Sequence, residues 1–103
     1  MKNSKNNKYA DMSLPQAEFD FHGKGVVGPL EVKKFLNEFL DECIAKNLKR
    51  ILVITGKGIH SKSGEPVVKK LAFDYLRSDN RVGMVLKARR DRGGEGAFEV
   101  QLR

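Results

Sequence analysis

Residues 19–23 read Phe-Asp-Phe-His-Gly and set a carboxylate and an imidazole two positions apart. On an extended strand, side chains at that spacing share one face. A carboxylate beside an imidazole can orient the ring, select one tautomer and raise its pKa, which suits the imidazole to proton transfer near neutral pH. Asp20 and His22 are therefore candidate catalytic residues. The competing reading is a solvated strand face, which the same two residues would also suit.

A second stretch, residues 56–63, reads Gly-Lys-Gly-Ile-His-Ser-Lys-Ser. It misses the nucleotide phosphate-loop pattern GxxxxGK[ST] at one letter, because Ser61 stands where the second glycine belongs. The pattern also needs its Lys and Ser at the start of a helix, and Gly64, Glu65 and Pro66 intervene. ATP binding is not expected. The same residues do suit a backbone cradle for a nucleic-acid phosphate: Gly56 and Gly58 allow close approach, and Lys57, His60 and Lys62 carry charge. An ordinary strand-to-helix connection is the bland alternative. A third stretch, from Lys87 to Gly96, sets Arg89, Arg90 and Arg92 beside glycines 93, 94 and 96, a pliable turn rich in phosphate donors. Asp20, His22 and His60 could offer three metal ligands, but their spacing is not diagnostic and no metal site is assigned.

The elements that must position these residues follow from periodicity. A short strand is expected around 18–22, with Phe19 and Phe21 on the core face and Asp20 and His22 on the open face. Pro29 suits the first turn of a helix, along which Val32, Phe35, Leu36, Phe39, Leu40, Cys43 and Ile44 form an apolar stripe. Asn47 is a plausible stop. "RILVIT" is apolar enough for a strand buried on both faces. Pro66 opens a second helix, with Val67, Val68, Leu71, Ala72, Tyr75 and Leu76 facing inward. Residues 82–88 and 97–102 are two more strands. The order βαβαββ predicts an α/β, two-layer α+β sandwich with both helices on one face. The first three strands run parallel, the last two pair antiparallel, and the three functional loops leave the same edge.

The chain has 103 residues, 40% apolar and 32% charged, and 20 Lys and Arg against 13 Asp and Glu give a net charge of +7. That balance favours a polyanionic partner, DNA or RNA. Residues 1–13 read as a flexible basic tail and 14–103 as a single domain. No apolar run approaches the roughly 20 residues needed to cross a bilayer, and the polar N-terminus is neither signal peptide nor anchor. A lone Cys43 on an apolar helical stripe fits a reducing cytoplasm.

Together the three stretches resemble the Smr (small MutS-related) domain. That family is marked by an L-D-x-H-G strand end, an H/T-G-x-G loop, and a glycine-rich segment before a V-x-L strand. Here these are Phe19-Asp20-Phe21-His22-Gly23, Thr55-Gly56-Lys57-Gly58, and Gly93-Gly94-Glu95-Gly96 leading to Val100-Gln101-Leu102. The resemblance implies a fold like the C-terminal domain of bacterial initiation factor three, with a mixed four-stranded sheet and two helices. It also implies nucleic-acid binding and, in many members, nicking or endonuclease activity on DNA or RNA. The family's Asp and His fall on Asp20 and His22, and its glycines on Gly23, Gly56 and Gly58. Phe at positions 19 and 21 keeps the apolar face. Thr55 stands where many members carry His, so a two-histidine mechanism would need His60. The expectation is a monomeric, stand-alone cytoplasmic endonuclease, with a shape-binding module that does not cut as the alternative and a protein-interaction domain as the third. The resemblance leaves open a divalent metal (Mg or Mn) and association with the ribosome.

Overall fold

A computed structural model describes residues 14–24, 28–56, 67–88 and 94–103, apart from the side chains of residues 22, 23, 67 and 95. Strand β1 (Ala17–Asp20) leads into a 3-10 turn (Phe21–Lys24), and helix α1 (Pro29–Ala45) follows. Strand β2 (Arg50–Ile54), helix α2 (Val67–Ser78), strand β3 (Val82–Lys87), a short 3-10 turn (Gly94–Gly96) and strand β4 (Ala97–Leu102) complete the order. The expected tail 1–13 and the start of the second helix at Pro66 lie outside the described residues.

Helix α1 starts where the sequence provides a start. Pro29 occupies the first turn, and the Glu31 carboxylate accepts the Gly28 backbone N–H at 3.1 Å. The helix ends in a Schellman motif: the Leu48 N–H reaches back to the Cys43 carbonyl at 2.9 Å and the Asn47 N–H to the Ile44 carbonyl at 3.0 Å. Asn47 supplies the left-handed residue this requires, with φ of 62°. Ile44, expected on the buried stripe, is 42% exposed. It sits in the last turn of the helix.

The sheet order is β1-β2-β4-β3. Strands β1 and β2 are parallel, and β4 runs antiparallel to both β2 and β3. The first three strands therefore point the same way, as expected, and β4 is wedged between the second and third. Ile51, Val53, Phe98 and Val100 face the helices and meet Val32, Leu36, Phe39 and Leu40 of α1 and Ala72 and Leu76 of α2 in one core. Each fully buried leucine there contributes about 1.5–3 kcal/mol through apolar burial. β2 is covered on its other face as well, where Leu52 packs with Ala88 and Ala97.

One expectation fails. The first strand does not reach His22; extended backbone ends at Asp20 and residues 21–24 coil into the 3-10 turn. Phe21 opens that turn and is buried edge-on to Phe19, with ring centroids 4.8 Å apart, so its place in the core is taken from the turn and not from an extended strand.

Candidate functional site

The sheet register brings the three sequence segments together. Asp20 is level with Ile54 across the parallel pair, and Ile54 is level with Ala97 across the antiparallel one. The Ala88 N–H then donates to the Ala97 carbonyl at 3.0 Å, so one row of backbone crosses the sheet from the D-x-H segment to the strand preceding Arg89. Adjacent strands lie about 4.8 Å apart, so Asp20 stands about 10 Å from Ala97. The rim anticipated from topology exists.

Asp20 alternates with Phe19, which packs on the helix side, so it lies on the open face and is exposed. His22 and Gly23 fall in the 3-10 turn directly after it. Period two therefore no longer relates Asp20 to His22, and the His22 side chain is outside the described residues. Lys57, Gly58, His60, Lys62, Arg89, Arg90 and Arg92 also lie outside them. Their flanks are well placed: Gly56, Ala88 and Gly94 all sit at this rim.

Gly56 is the predicted loop residue the structure describes best. It is buried with φ of 78°, a left-handed conformation that a side chain would strain. Its N–H and that of Thr55 both donate to the Gly96 carbonyl, at 2.9 and 2.8 Å. The Thr55 hydroxyl lies 3.1 Å from the Gly56 carbonyl and 3.4 Å from that of Gly96. The second and third motifs are thus tied together at a single carbonyl oxygen. Thr55 is 7% exposed and its hydroxyl is engaged within the protein, so it clamps the two segments together. The residue type at position 55 was visible in the sequence; its partner, 41 positions away, was not.

Sequence reasoning also passed over Lys24. Its ammonium lies 5.2 Å from the ring centroid of Phe19 and 5.4 Å from that of Phe35, one turn past Asp20. Among the described residues no group of three His, Cys, Asp or Glu could hold a metal ion. No described helix is long and apolar enough to cross a membrane.

A family model for the Smr domain matches residues 19–103. Relatives include "Endonuclease MutS2" of Finegoldia magna, 32% identical over 88 residues, covering 85% of this chain and 10% of that protein. "Probable DNA endonuclease SmrA" of Escherichia coli is 32% identical over 73 residues, covering 71% of this chain and 39% of that protein. Among solved structures, YdaL, a stand-alone small MutS-related protein from Escherichia coli, superposes with a TM-score of 0.72 at 29% identity, covering 86% of this chain and 66% of that one. The Smr domain of Thermus thermophilus MutS2 superposes with a TM-score of 0.66 at 25% identity, covering 84% of this chain and 98% of that one. The chain spans a tenth of the length of the two MutS2 relatives and under half of the other curated relatives it matches.

Proposed function

We infer the function from one established fact: the chain belongs to the Smr domain family. On that premise we propose that it binds nucleic acid and acts as an endonuclease, cutting phosphodiester bonds at the rim where β1, β2 and β4 meet. The observation that carries this reading is the row Asp20–Ile54–Ala97, which gathers the family's three motifs at one sheet edge. The names of the relatives, "Endonuclease MutS2" and "Probable DNA endonuclease SmrA", support it.

In the proposed reaction His22 accepts the proton of the attacking oxygen, either a 2′-hydroxyl of RNA or a water, while Asp20 orients the imidazole. The attacking oxygen forms its bond to phosphorus as the bond to the leaving oxygen breaks, and solvent supplies that oxygen with a proton. Lys57, His60, Arg89, Arg90 and Arg92, with the backbone at Gly23, Gly56 and Gly58, stabilise the charge gathering on the phosphoryl oxygens. A cytoplasmic setting suits such a substrate.

Thr55 favours a second reading. It stands where many family members carry His, and it is buried and hydrogen-bonded, so the second motif offers no proton carrier at that position. A domain that recognises nucleic-acid shape without cutting would tolerate that loss. Labelled single-stranded and duplex RNA and DNA, incubated with the protein in EDTA and then with magnesium or manganese, separate the readings. Cleavage of any of them supports the endonuclease, and its persistence in EDTA favours the 2′-hydroxyl route. Tight binding with every substrate intact under all conditions would leave the binding module.

A further inference from the structure

Lys24 is a basic residue two positions after His22. It belongs to the same 3-10 turn as His22 and Gly23, and it is exposed. Its stem does not trail into solvent. The ammonium rests over Phe19 of β1 and Phe35 of α1, whose ring centroids are 6.0 Å apart and tilted by 35° to one another. Both rings are only half buried, so they offer the cation two π faces and leave its outer side open. Among the described residues no carboxylate lies within ion-pair distance of it.

A lysine restrained in this way has already lost part of the rotamer freedom that binding a phosphate would otherwise take from it. Its three donors can point outward while the apolar stem stays on the rings. The ledge lies at the edge strand of the sheet, on the helix side of the rim, whereas Asp20 lies on the open side. A strand contacting both must bend over the end of β1.

We propose that Lys24 is a backbone-phosphate contact, pre-positioned by Phe19 and Phe35, and that bound nucleic acid leaves the rim across the β1–α1 side. The proposal rests on the nucleic-acid reading above, and the shared ligand chemistry is the phosphodiester of RNA or DNA.

The test compares Lys24→Met, Lys24→Arg and Lys46→Met with the parent. Methionine keeps an apolar stem on the rings and removes the charge. Lys46 is an exposed lysine paired with Glu42 at 3.0 Å, at the far end of α1, which is about 25 Å long, so it controls for net charge alone. The affinity of each variant for a short labelled single strand of mixed sequence, as RNA and as DNA, is measured across a salt series. Lys24→Met is expected to flatten the log–log salt slope by about 0.7, with Lys24→Arg restoring it and Lys46→Met leaving it unchanged. Equal loss of slope on both strands assigns the contact to phosphate, whereas weaker binding to RNA alone at an unchanged slope would overturn that assignment in favour of the 2′-hydroxyl. A parent-like slope for Lys24→Met, or the same flattening in Lys46→Met, overturns the contact while the nucleic-acid reading stands. A parent that binds neither strand at low salt overturns both.

Discussion

Thr55 shows how much one side chain can decide. Its hydroxyl and N–H, with the N–H of Gly56, converge on the Gly96 carbonyl and fix where two of the three motifs begin and end. Thr55→Val removes the hydroxyl while keeping the shape, and the Gly96 oxygen still receives two backbone donors. We expect a loss of about 1 kcal/mol, read as a lower urea midpoint at unchanged slope. A loss beyond about 3 kcal/mol would mean that the hydroxyl, and not the backbone pair, holds the two loops together. Position 55 also illustrates what a sequence conceals. The absence of a histidine was plain, but its replacement by a clamp required knowing that Gly96 lies opposite. The D-x-H pair was legible in type and only partly in placement: alternation predicts a shared face, but the strand ends at Asp20 and His22 falls in the turn that follows.

At the scale of elements, the order βαβαββ and the stripes on both helices were readable because burial imposes its period directly on the residues. The insertion of β4 between β2 and β3 was not, since pairing between distant strands leaves no periodic trace and β4 could as easily have stayed at the edge. The stop of α1 at Asn47 was readable, and its geometry now gives it a cost. Asn47 sits at φ of 62°. Asn47→Ala should destabilise the protein by about 1 kcal/mol, because a Cβ without a compensating polar group is strained there, whereas Asn47→Gly should be neutral or slightly stabilising. Chemical denaturation of the pair checks this, and an alanine variant as stable as the glycine one would contradict the capping account.

Across the whole molecule, charge is divided between two ends. At the end opposite the rim, Arg81 ties β3 to both helices: it bonds Asp79 through Nε at 2.9 Å and Nη2 at 2.7 Å, Asn37 Oδ1 at 3.0 Å, and the Asp41 carboxylate. The side-chain hydrogen bonds from Arg81, with its charge and backbone N–H, lower the Asp79 pKa from 3.8 to about 2. Its side chain is only 11% exposed, so solvent screens the pair little. A depressed carboxylate stabilises the fold above its unfolded pKa and loses that contribution as pH falls through its folded value. Asp79 should therefore contribute about 2 kcal/mol at pH 7, lost between roughly pH 4 and pH 2, with about half gone near pH 3. The stability difference between parent and Asp79→Asn should shrink accordingly, and a gap that is constant with pH would refute the ion pair. The Arg89 and Arg90 pair should act through phosphate alone. Replacing both by Ala should weaken binding on all sequences alike and flatten the salt slope by about 0.7–0.9 per lost contact. An unchanged slope would move the binding surface elsewhere. The central claim is that this rim cuts, and cleavage by His22→Ala tests it most directly. With its fold verified by circular dichroism, that variant should bind as the parent does and cleave about 10²–10⁴-fold more slowly, with Asp20→Asn showing a smaller loss of the same kind. A folded His22→Ala protein that cuts at the parental rate would contradict the account.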